Sequence, residues 1–204
     1  GGTLVAAYEP SVKKRADFVA CYGEIEFVDE FSQLLDDPRI QLIASAAIPN
    51  RRSDIGLQVM AAGKDYFTDK SPFTTLAQLE AVREACQTSG QKYCVYYAER
   101  LHNEAAWHAG ELIKDGAIGK VLHVTNLAPH RLSKASRPDW FFDKQQYGGI
   151  ITDIGSHQAE QFLAYSGCTS AKVTHARVAN LNNPDRPGLE DFGEFTLVGD
   201  SGAA

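Results

Sequence analysis

The first hundred residues alternate short β-rich runs with helical stretches, and this alternation constrains the fold more than any other feature of the chain. Strands are expected at Leu4–Tyr8, Glu24–Val28, Ile40–Ala47, Lys64–Thr68 and Lys92–Tyr97. Helices fall between them, near Ser11–Tyr22, Glu30–Leu35, Arg52–Ala62 and Thr75–Ser89. Thr75 with Gln78 forms a capping box, and Leu76, Leu79, Val82 and Cys86 recur at helical spacing behind it. Gly90 closes this helix, as Gly63 closes the one before. Leu42–Ala47 carries no charge, the composition of a central strand covered on both faces. Strict βα alternation at this spacing predicts an α/β fold built on a parallel, doubly wound sheet.

The pattern changes after residue 100. A helix is expected at Glu104–Lys114, ending at Gly116, followed by a half-buried strand at Val121–Leu127. An aromatic-rich stretch, Arg137–Phe142, leads into a long helix from Gly149 to Tyr165, then strands near Lys172–Asn180 and Gly193–Val198. Strands that no longer alternate with helices predict a second, α+β domain with a largely antiparallel sheet. The expected division is 1–105 and 106–204. An apolar fraction of 44% excludes a disordered tail, and a net charge of −6 gives no field for polyanions. With no basic patch interleaved with aromatics, no nucleic-acid partner is expected. The longest apolar run, Leu42–Ile48, falls far short of the roughly 20 residues of a membrane span, and no stretch reads as a signal peptide. Cys21, Cys86, Cys94 and Cys168 lack CxxC spacing and read as reduced core thiols of a cytoplasmic protein.

Open α/β sheets bind ligands at the carboxyl ends of their strands. Three such ends stand out: Glu9; the turn Ala47-Ile48-Pro49-Asn50; and Asp69-Lys70-Ser71-Pro72. Glu9 is placed to accept hydrogen bonds from a ribose and to repel a 2′-phosphate, or it is an exposed residue opening a turn. Pro49 and Asn50 are ordinary turn residues when read alone. Lys70 at a crevice mouth can hold a hydroxyl, polarise a developing carbonyl or meet a phosphate, whereas most lysines are simply solvated. The sharpest feature is the helix after Gly148-Gly149. Asp153, His157 and Glu160 make one polar stripe, and the remaining surface carries no charge, so the helix is expected to be enclosed with Asp153 and His157 facing an internal cavity. Such a pair suits general acid–base work, a structural Asp–His bond, or two ligands of a metal, but a single D-x-x-x-H lacks the further ligands a metal wants. Of the other histidines, His130 precedes the aromatic stretch at a surface position or a pocket wall.

Together these positions resemble the Gfo/Idh/MocA family, named for glucose–fructose oxidoreductase and inositol dehydrogenase. The resemblance runs through essentially the whole chain. Its anchors are AAIPN at 46–50, AAGKDYFTDKSPFTTLAQLE at 61–80, ELIKDGAIGKV at 111–121 and DWFFDKQQYGGIITDIGSHQAE at 139–160. It implies a Rossmann-type N-terminal domain and a C-terminal domain whose open sheet builds dimers or tetramers. It further implies reversible hydride transfer between NAD or NADP and a secondary alcohol of a sugar or polyol. Lys70, Asp153 and His157 would be catalytic and, with Trp140, would contact substrate. Glu9, Pro49, Asn50, Asp69 and Lys70 would contact the cofactor, with Glu9 favouring NAD. A non-catalytic dinucleotide sensor or an NAD-assisted lyase or hydrolase would use the same scaffold. Asp69 stands where the family usually has Glu, Tyr147 where a first glycine is often found, and Ser71 where a proline normally follows the lysine. The cis peptide implied after Lys70 has therefore lost its usual residue. No Gly-x-Gly-x-x-Gly occurs, so a strand–loop–helix unit of roughly 30 residues is expected upstream of Gly1, and the C-terminal sheet is expected to be incomplete.

Overall fold

The computed structural model describes residues 2–204. Five short strands of the first half, β1 (Ala6–Tyr8), β2 (Glu26–Val28), β3 (Leu42–Ser45), β4 (Asp65–Asp69) and β5 (Tyr93–Tyr96), all pair in parallel. They form two blocks, β1-β2 and β3-β4-β5. Helices α1 (Val12–Tyr22), α2 (Phe31–Asp36), α3 (Pro49–Ala61) and α4 (Leu76–Ser89) alternate with them, as the sequence pattern requires. One apolar cluster joins both blocks: Leu34, Ile43, Val59 and Tyr66 are buried in it, with Ala6 and Val28 packed against them. β4, not β3, is the middle strand of its block, with Tyr66 and Thr68 fully buried. The central-strand expectation for Leu42–Ala47 is thus corrected: β3 pairs only with β4, and Leu42 is exposed.

Local chemistry sets the helix ends. Thr75 Oγ1 accepts from Gln78 N at 3.2 Å while Gln78 Oε1 accepts from Thr75 N at 3.3 Å, so the capping box holds α4. α3 starts at Pro49, three residues before the expected Arg52, because proline suits the first helical turn, where no intrahelical N–H bond is lost. Gly56 lets α3 lie directly on the strands: a Cβ there would come within 2.8 Å of the Tyr66 ring.

After β5 come α5 (Ala98–Leu101) and α6 (Glu104–Lys114), the latter capped by Asn103 Oδ1 accepting from Ala106 N at 3.1 Å. Val121–Leu127, expected as a strand, forms no regular element and is unpaired over most of its length among the described residues. Its only ladder-like bonds among the described residues join Val124 N to Ala204 O and Ala204 N to Leu122 O, at 2.8 and 3.1 Å. Period-two alternation shapes a strand; a ladder also needs a neighbour. The aromatic stretch folds as one 3₁₀ turn at Asp139–Phe142, preceded by another at Lys134–Ser136, with Phe141 and Phe142 buried around Leu189. α7 (Lys144–Tyr147) leads to a π turn at Ile151–Gly155 and to α8 (Ser156–Ser166). β6 (Ala171–Ala179) and β7 (Phe192–Gly199) form the antiparallel pair of the second half. Cys168 is buried, Cys86 and Cys94 are half-buried, and Cys21 is exposed, correcting its reading as a core thiol: α1 buries no residue fully. Among the described residues no helix is long and apolar enough to cross a membrane.

Candidate active site

The carboxyl ends of β3 and β4 and the π turn before α8 meet at one place. Lys70 directly follows β4, and its Nζ donates to Asp153 Oδ1 at 2.6 Å and to the Asp153 carbonyl at 2.8 Å. The neighbouring Ser71 Oγ donates to Thr152 O at 2.7 Å, so two consecutive residues of one half grip two of the other. The side chains of Lys70 and Asp153 are only 18% and 15% exposed. Burial of this kind makes loss of one member costly, because the other is left as an uncompensated charge. The Lys70–Ser71 peptide is cis without a proline, so the cis bond implied for this position is present with serine in the proline's place.

The two glycines before the π turn explain themselves. Gly148 and Gly149 adopt φ of +89° and +94°, which L side chains rarely reach. This backbone turns the chain so that Ile150 N meets Glu190 Oε2 at 2.9 Å, while Glu190 is also paired with Lys144. The wide turn at Ile151–Gly155 then presents Asp153 to Lys70. Asp153 and His157 are largely enclosed, as the uncharged helix surface predicted, and so is Glu160. Asp153 and His157 line neither of the two larger cavities, which corrects the expectation that they face one, and the register is set partly by a π turn. Tyr147, in the place of a glycine, is buried, stacks on Phe141 at 5.5 Å and accepts from Glu190 N at 2.8 Å. Its own acidity is pushed down, to a pKa of about 12, chiefly by burial.

His157 is 6% exposed at the side chain. Its Nε2 lies 3.9 Å from Glu99 Oε1, and its buried Nδ1 has no hydrogen-bond partner among the described residues. Burial pulls its pKa below the ordinary imidazole value; the Glu99 carboxylate opposes that, while the Lys70 ammonium reinforces it. The Tyr97 ring meets it edge-on at 5.8 Å. Glu160 is paired with Arg100, so the third member of the polar stripe is neutralised locally.

Two residues that the sequence reading passed over belong here. Arg52 is 6% exposed and has no carboxylate within ion-pair distance among the described residues. Its guanidinium donates to Ala47 O at 2.7 Å, Asp69 O at 3.1 Å, Ser71 O at 3.0 Å and Lys70 O. It therefore ties the end of β3 to the carbonyls flanking Lys70. The signal was the position of Arg52 on one helix stripe with the buried Gly56 and Val59. Glu99, the second, carried no sequence signal.

The remaining expected residues are placed as follows. Asn50 sits in the first turn of α3 with a buried Oδ1 that has no partner among the described residues, next to Pro49 at the helix start. Asp69 Oδ1 accepts from Lys70 N at 2.9 Å. Glu9, just after β1, accepts from Ser11 N at 2.8 Å and has Lys14 at 4.0 Å. Trp140 packs beside Phe141 at 6.0 Å in the Leu189 cluster and makes no hydrogen bond to Lys70, Asp153 or His157 among the described residues. The larger cavity, about 780 Å³, lies between residues 123–130 and β7, and Lys70, Asp153 and His157 are not among its lining residues. Its walls mix apolar side chains with polar ones such as His123, Asn126, Asp191 and Glu194, and they do not include the charged cluster beside α8.

Residues 1–97 match the oxidoreductase family with an NAD-binding Rossmann fold, and residues 107–204 match the GFO/IDH/MocA C-terminal domain. A crystal structure from Erwinia carotovora atroseptica is similar with 44% identity and a TM-score of 0.93, over 98% of this chain and 60% of that one. Levoglucosan dehydrogenase in complex with NADH shares the fold with a TM-score of 0.82 and 21% identity, over 98% of this chain and 55% of that one. The D-xylose dehydrogenase of Paenarthrobacter nicotinovorans is 23% identical over 159 residues, 76% of this chain and 40% of its own length. The chain spans about half the length of the curated relatives it matches.

Proposed function

Because the chain belongs to the Gfo/Idh/MocA oxidoreductase family, we propose that it carries the proton-handling half of a reversible dehydrogenation, between NAD(P) and a secondary alcohol of a sugar or polyol. The observation that carries this reading is the buried Lys70–Asp153 pair beside a buried His157 with a free ring nitrogen. An ammonium has three N–H donors, and Asp153 takes two of Lys70's. The third is left to hold a substrate oxygen and to stabilise the alkoxide character that grows on it. Asp153 keeps that ammonium aimed, and His157 takes the hydroxyl proton or returns it in the reverse direction. A sensor has no use for such a proton relay.

The residues present fit the ribose and nicotinamide ends of a dinucleotide. Asn50 offers a buried, unpartnered acceptor, and Glu9 ends β1 with one carboxylate oxygen free of backbone bonds. When bound, the nicotinamide supplies the hydride acceptor. Glu9 favours NAD through repulsion of a 2′-phosphate, with Asp69, Pro49 and Trp140 as further contacts to cofactor or substrate. The exposure of β6 along almost its whole length supports a homo-oligomer through the β6–β7 sheet, and four free thiols support a reducing compartment such as the cytoplasm.

The test is nicotinamide absorbance with the full-length chain and a panel of sugars and polyols. Lys70→Ala and His157→Ala should each lower turnover by about 10²-fold or more. Turnover unaffected by both substitutions would sink the assignment. A kcat/KM preference for NAD that survives Glu9→Ser unchanged would remove the role given to Glu9.

A further inference from the structure

We propose that Glu99 is a positioning residue that holds the Nε2–H of His157, leaving Nδ1 as the nitrogen that receives the substrate proton. The inference deepens the dehydrogenase reading and rests on it for the identity of the proton donor. Glu99 belongs to α5, the single turn after β5, and its Oε1 lies 3.9 Å from the imidazole Nε2. Glu99 Oε2 accepts from Gln158 Nε2 at 3.1 Å, which orients the carboxylate.

The two nitrogens of His157 face different surroundings. Nε2 faces this carboxylate at 3.9 Å, while Nδ1 is buried with no partner among the described residues. A neutral imidazole carries one donor and one acceptor nitrogen. Placing the proton on Nε2 satisfies the side facing Glu99 and leaves Nδ1 as a bare acceptor. The opposite tautomer would bury an unpaired N–H and set a lone pair against a carboxylate. At 3.9 Å the Glu99 contact is longer than a hydrogen bond, and such contacts tighten once substrate is held and the imidazolium forms. Tyr97 meets the ring edge-on and limits its rotation. The other charges acting on His157 are Lys70 and Asp69 at the end of β4 and Asp153 in the π turn. Glu99 is the carboxylate with the strongest pull toward the protonated ring.

In the step itself the substrate O–H bond breaks and an Nδ1–H bond forms. His157 becomes an imidazolium stabilised by Glu99, which takes no proton. The imidazolium then returns its proton to solvent or, in reverse, to the alkoxide.

The test is ¹⁵N–¹H NMR of the histidine rings in the full-length chain, with His157 assigned by the signals lost in His157→Asn. The wild-type protein should show the Nε2–H tautomer for His157. Glu99→Ala should mix the tautomers and move the His157 titration to lower pH. Glu99→Gln keeps an acceptor, so it should retain the tautomer while losing the charge effect; it also serves if the alanine variant fails to fold. In kinetics, Glu99→Ala should lower kcat by about 10- to 100-fold with KM changed by less than about 3-fold, and move the acid limb of the pH profile down. An Nδ1–H tautomer in the wild type, or a His157 titration indifferent to both substitutions, overturns the proposal. Because the NMR readout needs no turnover, the expected tautomer supports the role given to Glu99 even where no sugar or polyol is oxidised, and that second result would count against the dehydrogenase reading alone.

Discussion

Replacing Arg52 by methionine removes the guanidinium from a site where it meets four carbonyls and no carboxylate. Hydrogen bonds to a charged group contribute about 1.5–3 kcal/mol each, but two N–H groups of Nη1 are shared among three of these carbonyls, so the four contacts do not add fully. Against this stands the cost of burying the cation, which already pulls its pKa down. A net loss of about 3 kcal/mol is expected, or roughly 6–12 °C in Tm for a chain of this size. The larger consequence is kinetic. The carbonyls of Asp69, Lys70 and Ser71 would be released together, and a displacement of about 1 Å at Lys70 is worth about 10²-fold in rate. Thermal unfolding and steady-state kinetics on the full-length chain measure both. Arg52→Lys keeps the charge with fewer, less directed donors and should fall between the two. Unchanged Tm and kcat in Arg52→Met would refute the idea that this clamp positions the lysine.

His157, whose pKa is depressed by burial, binds a proton more weakly folded than unfolded. Stability should therefore rise with pH from its folded pKa up to the ordinary value near 6.5, and His157→Asn should flatten that slope in urea titrations across pH. A double-mutant cycle on Lys70→Ala and Asp153→Asn should give a coupling of about 1–3 kcal/mol in urea unfolding, since the pair is largely enclosed; additive losses would mean the contact contributes nothing. Gly149→Ala, at φ +94° and pressed against the Glu190 carboxylate, should cost about 1–3 kcal/mol by calorimetry. A neutral outcome would show that the turn relaxes.

What was legible in the sequence was mostly what neighbouring residues decide among themselves. Thr75 and Gln78, four positions of one helix turn, settled where α4 begins, and Gly63 and Gly90 settled where two helices end. The enclosure of α8 was legible because an uncharged helix surface has few other uses. The pairing of Lys70 with Asp153, 83 residues apart, could be anticipated only through the order of the resembling segments. Arg52 and Glu99 escaped because their partners are carbonyls and rings brought in from distant loops, and no local pattern encodes those. Val121–Leu127 alternates like a strand yet has a ladder partner only at Ala204, so its sequence described a surface ready for pairing rather than a pairing made.

The grip of Lys70 and Ser71 on Thr152 and Asp153 makes the proposed reactive centre a fastener between the two halves of the chain. The bond that aims the ammonium is the same bond that keeps the halves in register. Turnover therefore doubles as a gauge of docking: a substitution anywhere along the seam that lets the halves slip will silence the lysine while each half is still folded. Activity should fail first and circular dichroism second.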